Sequence, residues 1–134
     1  MASWLVKYPQ IDGVWADSGL QGSGAVEAFV EAGKPVPPMT GEDFNRWLKQ
    51  WKQMGFPGFG VSFNVRMGSE AVKTALDIVQ GKPVCHYVNL PKLIIDQTTL
   101  DNFVRMDLPD DYWAASLPEV AAKLFPQGGA TPTK

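Results

Sequence analysis

The chain has one cysteine, one histidine, no basic run and no long apolar run. Each shortage removes a class of function. Cys85 alone cannot close an internal disulfide, so the sequence leaves the redox compartment open. His86 is the only histidine available as a base, and neither residue has the companions a zinc site needs. The two are adjacent, so in an extended segment their side chains point to opposite sides, which is poor geometry for a catalytic dyad. They read as a buried small thiol beside a surface histidine. A net charge of −2 without clustered Lys or Arg gives no footprint for nucleic acid. No stretch approaches the roughly 18 to 20 apolar residues of a membrane span. Met1-Ala2-Ser3 runs straight into Trp4, Leu5 and Val6 without a signal peptide, as expected of a cytoplasmic protein or of a piece of a longer one.

The glycine-rich stretch Asp17-Ser18-Gly19-Leu20-Gln21-Gly22-Ser23-Gly24 also lacks what three phosphate or hydrolase motifs require. A P-loop ends in Gly-Lys-Ser/Thr, and the next lysine here is Lys34. A dinucleotide fingerprint runs G-x-G-x-x-G, whereas these glycines run G-x-x-G-x-G. Ser23 does not sit in G-x-S-x-G. Two readings remain: a structural turn, or a turn offering Asp17, Ser18 and free helix N–H groups to a neutral polar ligand.

What is present is alternation. At 134 residues, 45% of them hydrophobic, the chain is long enough for one domain with a usable core. Residues 3–8 read as a helical turn stopped by Pro9, and 11–16 as a short strand. Residues 20–32 form a helix with Leu20, Ala25, Phe29 and Ala32 near one face, ended by Gly33. Residues 34–40 form a strand candidate whose prolines suit an edge. A helix over 43–54 carries Phe44, Trp47, Leu48 and Trp51 at helical spacing. A strand follows at 59–63, then a helix over 66–80 with Met67, Ala71, Ala75, Leu76 and Val79 on one side. A short strand at 93–96 and helical turns at 99–105 and 118–124 complete the pattern, and 127–134 reads as a disordered tail. Strands alternating with helices predict βαβ units and a parallel sheet, with ligands beyond the carboxyl ends of the strands. Three polar clusters then gather along one rim: Asp17-Ser18, Thr40-Gly41-Glu42-Asp43 and Ser62-Phe63-Asn64.

Glu42 and Asp43 admit three roles. They can form a general acid/base pair, contact a ligand, or open the following helix with Thr40 or Asp43 as its N-cap. Trp47 and Trp51, one turn apart, read as core, and so does Trp15.

Together these segments resemble a family. "YPQIDGVWADS…GAVEAFVEAGK" resembles the strand and helix of type I periplasmic binding proteins of sugar ABC transporters. "VPPMTGEDF" stands where that family has its next strand and turn. "GVSFNVRMGSEAVKTALDIVQGKPV" is similar to its hinge-crossing segment and helix, and "LPKLIIDQTTLDNF" to its closing strand and turn. The resemblance covers residues 5 to about 104 and corresponds to the C-terminal portion only.

The resemblance implies an α/β fold: a three-layer parallel-sheet lobe of the periplasmic-binding-protein-like I type, about one lobe, over residues 1–126. Helix 66–80 would belong against a first lobe that this chain lacks. The implied function is binding of a sugar or similar small polar solute, without catalysis, cofactor or metal. The implied partner is the permease of an ABC transporter, and the implied location is the periplasm. The ligand-binding residues it implies are Asp17, Ser18, Glu42, Asp43 and Asn64, with Phe63 or Trp15 available to cover the apolar face of a sugar. Three alternatives stay open: the effector-binding core of a LacI-type transcription regulator, a small α/β enzyme using Glu42 or Asp43, and a fragment that binds nothing alone and serves only as a folding or assembly unit. The uncovered stripe of helix 66–80 predicts a homodimer of the fragment.

Overall fold

A computed structural model describes residues 1–115. The helical turn expected at 118–124 and the tail at 127–134 lie outside the described residues. The element order is α1 (Ala2–Lys7), α2 (Gly19–Glu31), β1 (Met39–Gly41), α3 (Asn45–Met54), β2 (Gly58–Val61), α4 (Met67–Val79), β3 (Ile94–Ile95) and α5 (Leu100–Phe103). β1 and β2 pair in parallel, with Met39 opposite Gly58 and Gly41 opposite Gly60. The segment expected as a strand at 11–16 is reduced to one parallel bridge between Val14 and Met39. Val14 N–H donates to the Pro38 carbonyl, and Thr40 N–H donates back to the Val14 carbonyl.

β1 therefore has neighbours on both sides and is not the edge its prolines suggested. Pro35, Pro37 and Pro38 all precede its first residue. Proline lacks a donor but keeps its acceptor, and the carbonyls of Pro38 and Pro57 complete the ladder by accepting from Val14 and Met39.

From the Val14 bridge through β1 to β2 the chain steps across the sheet in one direction. Right-handed crossovers then place both connecting helices on one face. That face is the core. Met39, Trp47, Leu48, Trp51, Ile95 and Val26 are buried there, and the tilted rings of Trp47 and Trp51 have centroids 5.0 Å apart. Glycines let the helices and strands come this close. A Cβ at Gly58 would stand 2.3 Å from Trp51 Cε2, and one at Gly22 would stand 2.8 Å from Trp47 Cδ1. The glycine-rich stretch from 19 to 24 is thus a packing surface of α2: Gly19, Gly22, Ser23, Val26 and Phe29 are buried, while Leu20 and Ala32, expected on the inner face, are exposed.

The fold is the expected α/β arrangement around a parallel pair, about one lobe in extent. Its third layer is not supplied by the described residues. Phe59 and Ile94 alternate away from the core and stay exposed, and Trp15, expected in the core, is 81% exposed beyond Val14. The sheet is also mixed: β3 runs antiparallel to β2, with Val61 opposite Ile94 and Gly60 opposite Ile95. α4 explains this. It buries none of its residues, so it does not cross over the sheet as α2 and α3 do. The chain leaves β2 at Ser62 and returns beside it at Leu93, where Ser62 N–H donates to the Leu93 carbonyl. Two chain passes lying side by side in this way must be antiparallel. Cys85, expected to be buried, is exposed on the return, as is His86.

Candidate functional site

At the carboxyl ends of β1 and β2 lies an open cleft of about 350 Å³. It is lined by Asp17 from the first cluster, by Thr40 to Glu42 from the second and by Ser62 and Phe63 from the third, together with Trp15, Ala16, Phe59 and Val61. One or more residues of each cluster meet there, because parallel strands end on the same side of a sheet, while Ser18, Asp43 and Asn64 do not line the cleft. Thr40 locks the first to the second: its hydroxyl accepts from Ala16 N–H at 2.9 Å and donates to the Ala16 carbonyl at 3.0 Å.

The five residues implied by the resemblance occupy different positions. Asp17 and Glu42 line the cleft. Ser18 stands behind Asp17 as the N-cap of α2, its Oγ accepting from Leu20 N–H at 3.2 Å. Glu42 supports the same helix end, Oε2 accepting from Gly19 N–H at 3.1 Å. Burial pushes the Glu42 carboxyl above the usual range; the Gly19 N–H and the Ser18 side chain oppose the rise, while the nearby acids Asp43 and Asp17 add to it.

Asp43 is fully buried and is absent from the cleft wall. Its Oδ1 accepts from Phe63 N–H at 3.1 Å and its Oδ2 from Ala115 N–H at 2.6 Å. Burial raises its carboxyl too, against the pull of these N–H groups. Asn64 lines an adjacent hollow of about 330 Å³ with Met67, Val88 and Lys92. Its carboxamide is bonded on both sides, donating to the Pro91 carbonyl at 2.9 Å and accepting from Arg66 N–H at 3.0 Å.

The expected N-cap of α3 is also different. Neither Thr40 nor Asp43 caps it; Phe44 holds that position without a side-chain bond. The first free N–H groups of α3 are satisfied from a distance, Asn45 donating to the Tyr112 carbonyl and Arg46 to the Asp110 carbonyl. The carboxylates are left free for other work because the loop at 105–112 supplies these acceptors. Sequence reasoning missed Asn45, which is fully buried and binds the carbonyls of Arg105 and Pro109 at 2.8 and 2.9 Å. It also missed Phe59. The alternation Gly58, Phe59, Gly60 was the available signal: two glycines under the tryptophans turn the phenylalanine to the other face.

The lining combines polar groups with aromatic surface. Two carboxylates and two hydroxyls can pair with ligand hydroxyl groups, and exposed aromatic rings at Trp15, Phe59 and Phe63 can cover C–H surface. Among the described residues no group of His, Cys, Asp and Glu is arranged to hold a metal ion, and no helix is long and apolar enough to cross a membrane.

No family model and no curated protein matches the sequence. Solved structures do. An ABC transporter solute-binding protein from Thermobispora bispora is 26% identical at a TM-score of 0.68, over 99% of this chain and 42% of its own. A Mycobacterium smegmatis protein in complex with β-D-fucofuranose is 26% identical at 0.65, over 95% of this chain and 38% of its own. The fold is that of a type I periplasmic binding protein. A third such structure, an ABC transporter periplasmic solute-binding protein from Actinobacillus succinogenes with bound D-allose, shares the fold at 0.63 with 19% identity, over 76% of this chain and 36% of its own. The chain thus spans well under half the length of these solved structures.

Proposed function

We propose that the cleft is one half of a binding site for a neutral sugar in a solute-binding protein of an ABC transporter, and that the chain corresponds to its C-terminal portion. The observation that carries this is the meeting of Trp15, Asp17, Glu42, Phe59 and Phe63 in one cleft at the strand ends. The lining holds two acids and no lysine or arginine. An anionic sugar would meet like charge there, whereas hydroxyl groups can donate to both carboxylates. No chemical step is needed: Glu42 is held at a helix end and Asp43 lies behind the wall.

The periplasm is the location and a membrane permease the partner that go with this reading. A second lobe would close over the cleft and cover α4. Its exposed Val72, Leu76, Ile78 and Val79 favour self-association of the chain when that lobe is absent.

A whole site of micromolar affinity corresponds to about −8 kcal/mol, so half of its contacts give a dissociation constant of about a millimolar. Calorimetry of the chain with D-allose and D-glucose is expected to reach that range, with D-glucuronate at least about tenfold weaker. Equal or tighter binding of D-glucuronate overturns the reading.

A further inference from the structure

We propose that Asp43 is a positioning residue, not a ligand contact: its carboxylate fastens two separate chain passes to the end of β1 and through one of them sets Phe63 in the cleft wall.

Three bonds converge on this residue. Oδ1 takes the Phe63 amide, Oδ2 takes the Ala115 amide, and the Asp43 carbonyl takes the Ala114 amide at 3.1 Å. The first pass is the segment leaving β2 toward α4. The second is the segment after α5, which reaches the same place by its own contacts. Trp113 bridges to Phe44, their ring centroids 5.1 Å apart, and the Tyr112 carbonyl accepts from Asn45. Residue 43 is therefore where β1, the outgoing pass and the later pass are joined.

The two neighbours in sequence divide the labour. Glu42 faces the cleft, and Asp43 faces the opposite way, into protein. A buried carboxylate is costly unless its lone pairs are used, and backbone N–H groups fixed by two different segments use them here. A carboxylate is needed because both partners are donors. Asparagine has one acceptor oxygen and would turn its NH₂ toward one of the two amides. Phe63 lies directly on this staple, and its exposed ring lines the cleft. A shift of that ring is thus transmitted to Ala115 through one side chain. The titratable groups that feel the charge of Asp43 are Glu42 beside it and Tyr112 on the later pass.

The staple is tested without any ligand, so its failure is separate from failure of the sugar reading, on which only its effect on binding rests. Amide NMR of the chain, titrated toward acid, is expected to show the Phe63 and Ala115 N–H signals moving upfield together with one midpoint. In Asp43→Asn, at least one of these amides is expected to exchange with solvent at least tenfold faster, while the amides of α2 stay within twofold. Independent midpoints for the two signals in the wild type, or no titration of either, overturns the proposal. So does unchanged exchange at both amides in Asp43→Asn. If that variant does not fold, the wild-type titration alone decides. With D-allose as probe, a shift at Phe63 is expected to be accompanied by one at Ala115 in the wild type and to be uncoupled from it in the variant.

Discussion

At the scale of single residues, the two adjacent acids show how burial sets chemistry. Glu42 and Asp43 both hold their protons more tightly in the folded chain than in the unfolded one, because burial disfavours the charged form. The sign of the pH effect follows. The folded state binds more protons between the ordinary carboxylate range and the raised values, so the contribution of these groups to stability falls as pH rises through that window. Glu42→Gln removes one of them. Urea unfolding at about pH 4 and about pH 7 is expected to show the variant gaining on the wild type as pH rises; a wild type that gains on the variant contradicts this assignment. The glycines beneath the tryptophans are a second residue-scale test. Gly58→Ala would place a methyl 2.3 Å from the Trp51 ring, and overpacking of this kind costs about 1 to 3 kcal/mol. A melting temperature equal to that of the wild type would show that the Trp51 ring moves aside freely.

At the scale of elements, the helices fall into two kinds. α2 and α3 bury long stretches against the sheet, whereas α4 buries nothing. Phe29→Ala in α2 is expected to cost about 3 to 5 kcal/mol, as a large ring removed from a core does. Leu76→Ser in α4 is expected to change unfolding free energy by less than about 0.5 kcal/mol. Its effect should appear in sedimentation equilibrium as weaker association; a large loss of stability instead would mean that α4 packs on its own chain.

The helices were the most legible part of the sequence, because period and stops agree: Gly55 ends α3 in the left-handed conformation its position requires. The strands were less legible. β1 has three residues and β3 has two, too few for alternation to register. The faces were least legible where a side is bare. Trp15 and Phe59 carry the same apolar signal as Trp47 and Trp51, and only the crossover direction tells which face is covered.

At the scale of the whole molecule, one topological fact accounts for both the site and its openness. Parallel strands stepping in one direction bring residues 15–17, 40–42 and 61–63 to one end, and among the described residues the same step leaves the other sheet face without a helix. The convergence was readable from strand-to-helix punctuation alone. The division of labour within it was not. Ser18, Asp43 and Asn64 carry polar groups that suit a ligand, yet each is bonded to backbone groups brought from elsewhere in the chain or from the adjacent turn. The long-range partners of Asp43 and Asn64 leave no mark on local sequence. The central claim is that a neutral sugar enters at the strand ends. The most direct measurement is amide NMR of the chain during titration with D-allose. The predicted result is concentration-dependent shifts at Trp15, Asp17, Glu42 and Phe63, saturating at about millimolar sugar. Shifts confined to α4 or to the hollow at Asn64, or none at the cleft at tens of millimolar sugar, would contradict it.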